Sequence, residues 1–409
     1  MAEINHNPWR SDFPVLEQPM NGKRLAFLDS GASAQKPQQV IDAVTMVYQS
    51  HYANIHRGLY EFSQRLTAEF EQVREKIAKF IQAPSTRSVI FTRNSTEAIN
   101  LVAQSWGRTF LEAGDEVILT HMEHHANFVP WHILKDQIGI VIKYIPLLDN
   151  GALDLSVLPE LLTKKTRLVA FTHVSNVLGT VNPAKDMIAQ IKSYAPEIIT
   201  LVDGSQAVVH GTVDVTDLGA DFYVFTGHKL YGPSGVGVLY GREAILEKMP
   251  PWQGGGDMIE QVTLEQVTYA PLPNKFEAGT PAIAEVIGLG AAIDYISGIG
   301  MDHIFEWEKD ILGYANEKLS QIDGLKIYGT TSDKAGIISF TLKGCPTSDV
   351  AMILDQMGVA VRSGHHCCQP LMETLGVEGT LRASIGLYTD KDDIDQLCDA
   401  ITKAQKMLM

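Results

Sequence analysis

Two short segments, 202–206 and 225–229, carry residues that could act together. Asp203 and Lys229 each follow an apolar run typical of a buried strand, and open α/β sheets bind ligands at the carboxyl ends of their strands. A buried amine loses its proton more readily and can attack an aldehyde, whereas a carboxylate there needs a cation. Considered alone, a lysine is more often exposed on the surface, and an aspartate more often caps a helix. Together they predict a pyridoxal 5′-phosphate site, with Asp203 for the ring nitrogen and Lys229 for the aldehyde.

The phosphate of such a cofactor needs a cluster of donors. Asn94 follows a predicted strand, and the glutamate three positions later completes the pattern of a capping box. Backbone N–H groups at this helix start, with the hydroxyls of Ser95 and Thr96, would face the anion. Thr226 and His228, beside the lysine, are expected to close the other side of the phosphate.

A histidine-rich segment, 121–125, follows another predicted strand. It does not fit the zincin pattern, which needs a glutamate directly after the first histidine, where a methionine stands. For His121 and His125, an ordinary surface or core imidazole is as probable as a functional role. We expect His124 to stack on the flat cofactor ring.

Segment 362–370 contains two consecutive histidines followed by two consecutive cysteines. Zinc sites use wider ligand spacings, so no metal site is predicted here. Glycine and proline mark a loop, which favours a nucleophilic role for Cys367. Cys345 and Cys398 are expected to be small apolar fillers. Adjacent Cα atoms are too close for a relaxed disulfide between Cys367 and Cys368.

These residues need a scaffold that presents strand ends. From residue 88 the pattern alternates between apolar strands and helices at 94–106 and 184–194. This alternation predicts an α/β domain over residues 26–295, with a mostly parallel, seven-stranded type of sheet covered by helices. The predicted strands lie at 88–92, 116–120, 140–147, 167–174, 198–202, 222–225 and 236–240.

After about residue 300 the pattern changes to that of a smaller α+β domain, 296–409, which carries the cysteine loop. Residues 1–25 are expected to pack on it as an N-terminal segment. The predicted helices of this domain are 304–322, one from Thr347 and one from Thr389, and its predicted strands are 325–328, 336–342, 359–362 and 381–387.

Composition limits the classes of partner. The 409 residues carry a formal net charge of −15 without a basic run, so nucleic acid and anionic membranes are poor partners. No apolar stretch reaches the length that spans a bilayer, and the N-terminus lacks the pattern of a secretory signal. With only four cysteines, the chain is expected in a reducing, cytoplasmic compartment.

Over essentially its whole length the chain resembles the pyridoxal-phosphate-dependent class V aminotransferases, and within them the SUF-system, group II cysteine desulfurases. The resemblance implies the fold type I architecture and a homodimer whose active sites take residues from both chains. It rests on a series of ordered segments: 28–30, 34–37, 54–58, 123–127, 173–179, 202–206, 227–233, 276–281 and 362–367.

The resemblance also implies individual roles. Lys229 matches the lysine that bonds to the cofactor aldehyde, Asp203 the partner of the pyridine nitrogen, and Gln206 a donor to the ring oxygen. His124 matches the ring-stacking base, and Cys367 the nucleophile that takes the sulfur of L-cysteine as a persulfide, releasing alanine. Phosphate positions are matched by Ser95, Thr96, Thr226, His228 and, from the neighbouring chain, Thr280.

Asn176, Arg382 and His56 match substrate-binding positions, and a guanidinium fork suits a carboxylate. The implied partners are a second copy of the chain and a SufE-like or SufU-like sulfur acceptor, in the service of iron–sulfur cluster assembly. Cys368 departs from the family pattern, and a space-filling role is favoured over sulfur relay or protection of Cys367. The alternatives are selenocysteine lyase activity on L-selenocysteine, another class V reaction, or a non-catalytic scaffold that binds the cofactor.

Overall fold

The computed structural model describes residues 7–409, so the first six residues of the predicted N-terminal segment lie outside it. Its centre is a seven-stranded sheet in which Gly237–Gly241 runs in the opposite direction to the other six strands. The mostly parallel sheet predicted for the large domain is therefore confirmed. In spatial order the strands are Val89–Thr92, Gly237–Gly241, Phe222–Thr226, Ile199–Asp203, Thr166–Thr172, Glu116–Thr120 and Val141–Ile145.

Both faces of this sheet are covered. Within Phe222–Thr226, the side chains of Tyr223 and Phe225 belong to the apolar core on one face, and those of Phe222 and Val224 to the core on the other. Because side chains alternate along a strand, a strand buried on both faces reads as a continuous apolar run. That run identified these strands in the sequence.

Helices pack on both faces of the seven-stranded sheet and around a second, four-stranded sheet. The predicted helix 94–106 is observed as Ser95–Leu101 followed by a wider π turn over Val102–Gly107. Several long helices have no counterpart among the predictions, including Glu61–Phe80 and Ile283–Ile299. The helices longer than six residues are Gln38–Met46, Glu61–Phe80, Ser95–Leu101, Val129–Ile138, Ala184–Tyr194, Ile283–Ile299, Met301–Ser320, Thr347–Gln356, Gln369–Leu375 and Lys391–Leu408.

The second sheet has four antiparallel strands, in the order Leu325–Tyr328, Ile337–Leu342, Thr380–Ser384 and Arg362–Gly364. The single strand predicted at 359–362 was wrong. It divides because Val359–Ala360 pairs with Ala26–Phe27, whereas Arg362–Gly364 pairs with Thr380–Ser384. A separate hairpin, Ile259–Val262 with Val267–Tyr269, was not predicted.

The N-terminal segment contacts the C-terminal part of the chain. The Asn7 side chain donates to the carbonyl oxygens of Leu387 and Thr389, and Arg10 forms an ion pair with the buried Asp393. Asp390 caps the last helix, which begins at Lys391, two residues later than predicted, and it forms an ion pair with Arg24. The domain boundaries at 25 and 295 stay predictions.

Between residues 7 and 409, no single helix is long and apolar enough to cross a membrane. Ile283–Ile299 and Met301–Ser320 pass such a test only when joined, and they meet at an angle of 77°. The same part of the chain contains no group of three or more His, Cys, Asp or Glu side chains placed to hold a metal ion.

Candidate active site at the sheet edge

The carboxyl ends of neighbouring strands meet at one small cavity. Asp203 ends the strand Ile199–Asp203, and Lys229 follows the strand Phe222–Thr226 by three residues. Both line the cavity, so the juxtaposition predicted from the sequence is observed in the structure. The cavity is lined by Ser95, His124, Thr172, Val174, Asn176, Asp203, Ser205, Gln206 and Lys229.

Two glycines let the backbone approach this edge closely. A Cβ on Gly204 would lie 2.0 Å from the ring of Tyr223, and a Cβ on Gly237 would lie 2.5 Å from the Cα of Asn94. The first glycine keeps the turn after Asp203 against the sheet. The second admits the helix start at Asn94 beside the antiparallel strand.

Burial lowers the pKa of the Lys229 amine to about 8, although the Asp203 carboxylate opposes this shift. The amine is therefore partly neutral near physiological pH, as a nucleophile for an aldehyde must be. Burial, and then the Lys229 charge, lower the pKa of His124 to about 4. Its neutral imidazole accepts a hydrogen bond at Nδ1 from the N–H of Ala126, at 3.0 Å, which fixes the ring.

The residues predicted to bind the phosphate differ in their exposure. Asn94 caps the helix by accepting from the N–H of Glu97 at 2.9 Å, but the Glu97 carboxylate accepts from the N–H of Arg93, so the reciprocal bond of a capping box is replaced. Ser95 lines the cavity, whereas the Thr96 side chain is exposed. Thr226 is buried at the strand end.

His228 is half-buried, and burial lowers its imidazole pKa to about 4. Its backbone carbonyl accepts from the N–H of Ala34 at 3.0 Å and from the Lys36 amine at 3.0 Å. These bonds hold the turn that carries Lys229 against the chain at 34–36. In the sequence, only the matching segment 34–37 points to this contact.

The predicted carboxylate-binding pair is in direct contact. The Arg382 guanidinium donates from Nη1 to the carbonyl of Asn176 at 2.9 Å and from Nη2 to the Asp29 carboxylate at 3.2 Å. Its Nε is buried and has no hydrogen-bond partner between residues 7 and 409. Asp29 also accepts from Arg362, so one carboxylate orients two arginines. The sequence pattern predicts no role for Asp29.

The cysteine loop reaches this edge from the smaller domain. The carbonyl of Cys367 accepts from the N–H of His125 at 2.7 Å, and the ring of His125 accepts at Nε2 from the N–H of Gln369 at 3.2 Å. His125 therefore holds the loop beside His124, a role that the sequence left open. The Cys367 thiol is exposed.

Cys368, in contrast, is fully buried. Its thiol donates to the Asn176 Oδ1 at 3.1 Å, while the Asn176 amide donates to the carbonyl of His366 at 2.9 Å. Burial raises the pKa of the Cys368 thiol well above its usual value, although the Asn176 hydrogen bond opposes this. A thiol so protonated is a poor nucleophile.

Two predicted site residues lie elsewhere. His56 hydrogen-bonds Glu71 at 3.3 Å, and Thr280 lies exposed at the rim of a second cavity. Within the range the structure describes, neither lines the cavity of Lys229. Their assignment to the site stays a prediction, which for Thr280 concerns the site of a neighbouring chain.

The cavity has the donor set that pyridoxal phosphate would need. The hydroxyls of Ser205 and Thr226 are buried without a hydrogen-bond partner anywhere in 7–409, so an acceptor such as a phosphate oxygen would satisfy them. The Asp203 carboxylate suits a protonated ring nitrogen, and the Lys229 amine suits an aldehyde. The residues present therefore fit this cofactor.

Comparison with known proteins agrees with the fold and the cofactor. The model of the aminotransferase class-V family matches residues 26–397. The chain is 49% identical to a protein of Pectobacterium carotovorum and 51% identical to one of Serratia proteamaculans, both named cysteine desulfurase, each over 98% of both chains. This confirms the resemblance at the level of the family, and class V aminotransferases are pyridoxal-phosphate-dependent.

Solved structures show the same fold. The cysteine desulfurase CsdA of Escherichia coli, in an S-sulfonic acid form, superposes with a TM-score of 0.91 at 38% identity and 98% coverage of both chains. The apo cysteine desulfurase of Thermococcus onnurineus superposes with a TM-score of 0.93 at 36% identity and full coverage of both.

Proposed function

Because the chain belongs to the class V aminotransferase family, we propose that it is a SUF-type, group II cysteine desulfurase that converts L-cysteine to L-alanine. The observation that carries the proposal is the meeting of three groups at one edge. Lys229 and Asp203 line one cavity, and the backbone of Cys367 is bonded to the histidine next to His124. The names of the relatives at 49% and 51% identity support it.

Each residue has a task in this proposal. Bound pyridoxal phosphate supplies an electron-withdrawing ring that weakens the bonds at the α-carbon of an amino acid. Asp203 holds the ring nitrogen protonated, and Gln206 orients the ring. Lys229 would hold the cofactor through its aldehyde, and its amine would move the substrate α-proton. His124 stacks on the ring and handles the proton of the substrate thiol.

The phosphate and the substrate carboxylate are held by separate groups. Ser95, Thr96, Thr226 and His228 take the phosphate from one chain, and Thr280 reaches it from the partner chain. Arg382, with its unpartnered Nε, and the Asn176 amide take the carboxylate of L-cysteine. His56 contributes to the substrate pocket from the partner chain.

Sulfur leaves through Cys367. Its thiolate attacks the sulfur of the bound cysteine, the carbon–sulfur bond breaks, and the product on the enzyme is a persulfide, Cys367–S–S⁻. Protons returned to the former cysteine give alanine. Cys368 stays protonated and buried, so it fills space and bonds Asn176 instead of carrying sulfur.

We also propose a homodimer, a SufE-like or SufU-like acceptor for the persulfide, and a cytoplasmic role in supplying sulfur for iron–sulfur clusters. A cluster of exposed apolar side chains within residues 46–62 supports the dimer, since monomers rarely expose many large apolar groups close together. It includes Met46, Tyr48, Tyr52, Leu59, Tyr60 and Phe62.

The test is to load the purified protein with pyridoxal phosphate, add L-cysteine, and measure alanine and protein-bound persulfide. We expect both products in equal amounts in the first turnover, and continued alanine formation when an acceptor protein or a reducing thiol is added. L-selenocysteine in a parallel reaction measures the preference between the two amino acids. Loading without alanine from either amino acid would contradict the proposal and favour a non-catalytic binding protein.

A further inference from the structure

Arg74, in the middle of the helix Glu61–Phe80, is among the most buried charged residues of the chain, with 1% of its surface exposed. All five of its N–H donors are used. Nε donates to Glu71 at 2.9 Å, Nη1 to the carbonyl of Val89 at 2.9 Å and to Glu277 at 2.6 Å, and Nη2 to Glu71 at 3.2 Å and Glu277 at 3.0 Å. A buried guanidinium with all its donors in use holds the carboxylates it binds in place, together with the segments that carry them.

One of these partners leads to His56. The Glu71 carboxylate, besides binding Arg74, accepts a hydrogen bond from His56 Nε2 at 3.3 Å. Although burial opposes it, hydrogen bonds from His56 and Arg74 lower the pKa of Glu71 to about 2. The His56 backbone is in the left-handed region, with φ of 70°, and its N–H donates to Thr67 on the same helix. This turn is therefore held by the helix that carries Arg74.

The other partner leads to Thr280. The Glu277 carboxylate binds Arg74 with both oxygens and also accepts from the N–H of Phe91 at 2.7 Å, at the end strand of the large sheet. Thr280 follows three residues later, after Gly279 with φ of 82°. Arg74 thus joins the two segments whose predicted site residues do not line the cavity of their own chain.

Lysine does not replace arginine in this arrangement. A guanidinium presents a planar fork to two carboxylates, whereas an ammonium is a single point with three donors. The Arg74 Cζ also lies 4.5 Å from the ring centroid of Phe91 and 5.7 Å from that of Phe70, where a flat cation packs well.

We propose that Arg74 is a positioning residue for the neighbouring subunit's active site, setting the His56 turn and the 277–280 loop together. The proposal rests on the proposed function, in which Thr280 meets the partner's cofactor phosphate and His56 its substrate. It predicts that one substitution, remote from Lys229, weakens cofactor retention and substrate affinity together.

The variants are Arg74→Lys, with Lys76→Met as the matched control two residues along the helix, where an exposed lysine pairs with Asp294. For Arg74→Lys we expect the rate of cofactor release and the KM for L-cysteine each to rise about tenfold, while kcat changes little. His56→Ala should raise the KM alone, and Thr280→Ala should raise the release rate alone. Lys76→Met should change none of these quantities.

Hybrid dimers decide which subunit is affected. The first hybrid joins an Arg74→Lys chain to a Lys229→Ala chain. The only Lys229 is in the Arg74→Lys chain, and its cross-subunit residues come from the other chain, which keeps Arg74. Cofactor release should therefore match that of the wild type. The second hybrid joins a wild-type chain to the double variant Arg74→Lys, Lys229→Ala. The site of the only Lys229 then takes its cross-subunit residues from the chain without Arg74, and it should release the cofactor faster. The opposite pattern, or two unaffected hybrids, would overturn the proposal.

Hydrogen exchange of the cofactor-free protein gives a readout without turnover. In Arg74→Lys, exchange should increase at 54–58 and 277–282 and stay unchanged in the strands around Lys229. Increased exchange throughout the chain would show a general loss of stability and contradict a positioning role. If the wild type makes no alanine, the rate of cofactor release and hydrogen exchange still test this inference separately from the proposed function. The mass of the protein in solution then shows whether it forms the dimer that the inference requires.

Discussion

The cavity of Lys229 and the loop of Cys367 lie side by side but are built differently. The cavity is formed by the ends of hydrogen-bonded strands, and its residues are mostly buried. The loop has left-handed backbone at Gly364, His366 and Cys367, and it is held by hydrogen bonds from His125 and Asn176 to its carbonyls. The groups proposed to position the ring thus lie at the ends of hydrogen-bonded strands, whereas the exposed thiol depends on contacts from another part of the chain.

The same contrast separates the two adjacent cysteines. Cys367 faces solvent, where it can meet a sulfur acceptor, and Cys368 is buried against the Asn176 amide. One residue of sequence separates a candidate nucleophile from a core thiol. Their substitutions are therefore among the sharpest tests of the difference between loop and cavity.

The largest effect is expected at the cavity. Lys229→Ala removes the amine that bonds the cofactor and moves the substrate proton, so alanine formation should fall by more than about a thousandfold. The measurement is the initial rate with saturating L-cysteine. Lys185→Ala, which removes an exposed lysine paired with Asp217, is the control and should keep full activity. A residual rate within tenfold of the wild type would move the chemistry away from this residue.

The next effect tests the loop. Cys367→Ser should abolish persulfide formation and lower alanine formation by about a hundredfold or more, because a serine hydroxyl is far less nucleophilic than a thiolate. Cys368→Ala, at the next position, is the control, and this variant should still form both the persulfide and alanine. Trapping of the persulfide with an alkylating reagent, followed by mass spectrometry, locates the sulfur. The reverse result would place the nucleophile at position 368.

A third test returns to the cavity. Asp203→Asn keeps the shape but removes the charge that pairs with a protonated ring nitrogen, so turnover should fall by about a hundredfold while the cofactor still bonds to Lys229. Absorbance of the bound cofactor checks loading, and alanine release checks turnover. Asp217→Asn, on the surface, should leave both unchanged. Full turnover in Asp203→Asn would exclude the ring-nitrogen role.

The smallest effect is a pH dependence. Because the folded pKa of Lys229 is lowered to about 8, the reactive neutral fraction of the amine falls steadily below that pH and is the larger fraction above it. The rate at which cofactor-free protein takes up pyridoxal phosphate should therefore rise about tenfold per pH unit up to about pH 8 and then level off. Stopped-flow absorbance measures this rate. A flat profile between pH 6 and 9 would show that the amine is already neutral.

The sequence by itself determined the sheet and the strand-end residues. Apolar runs covered on both faces, interleaved with helices, are a local signal, and Asp203 and Lys229 follow such runs directly. The ends of Glu116–Thr120 and Leu325–Tyr328 agree with the sequence pattern to the residue. The ends of these two strands are predictable because alternation and burial act over a few neighbouring residues.

Only the tertiary structure decided which partners those residues meet. The Cys368 bond to Asn176 spans 192 positions and the Arg74 bond to Glu277 spans 203, and no local pattern encodes either pairing. The split of the strand predicted at 359–362 has the same cause, since its two halves pair with strands from opposite ends of the chain. Periodicity reports which face of an element is buried, whereas the identity of the covering group depends on how distant segments pack.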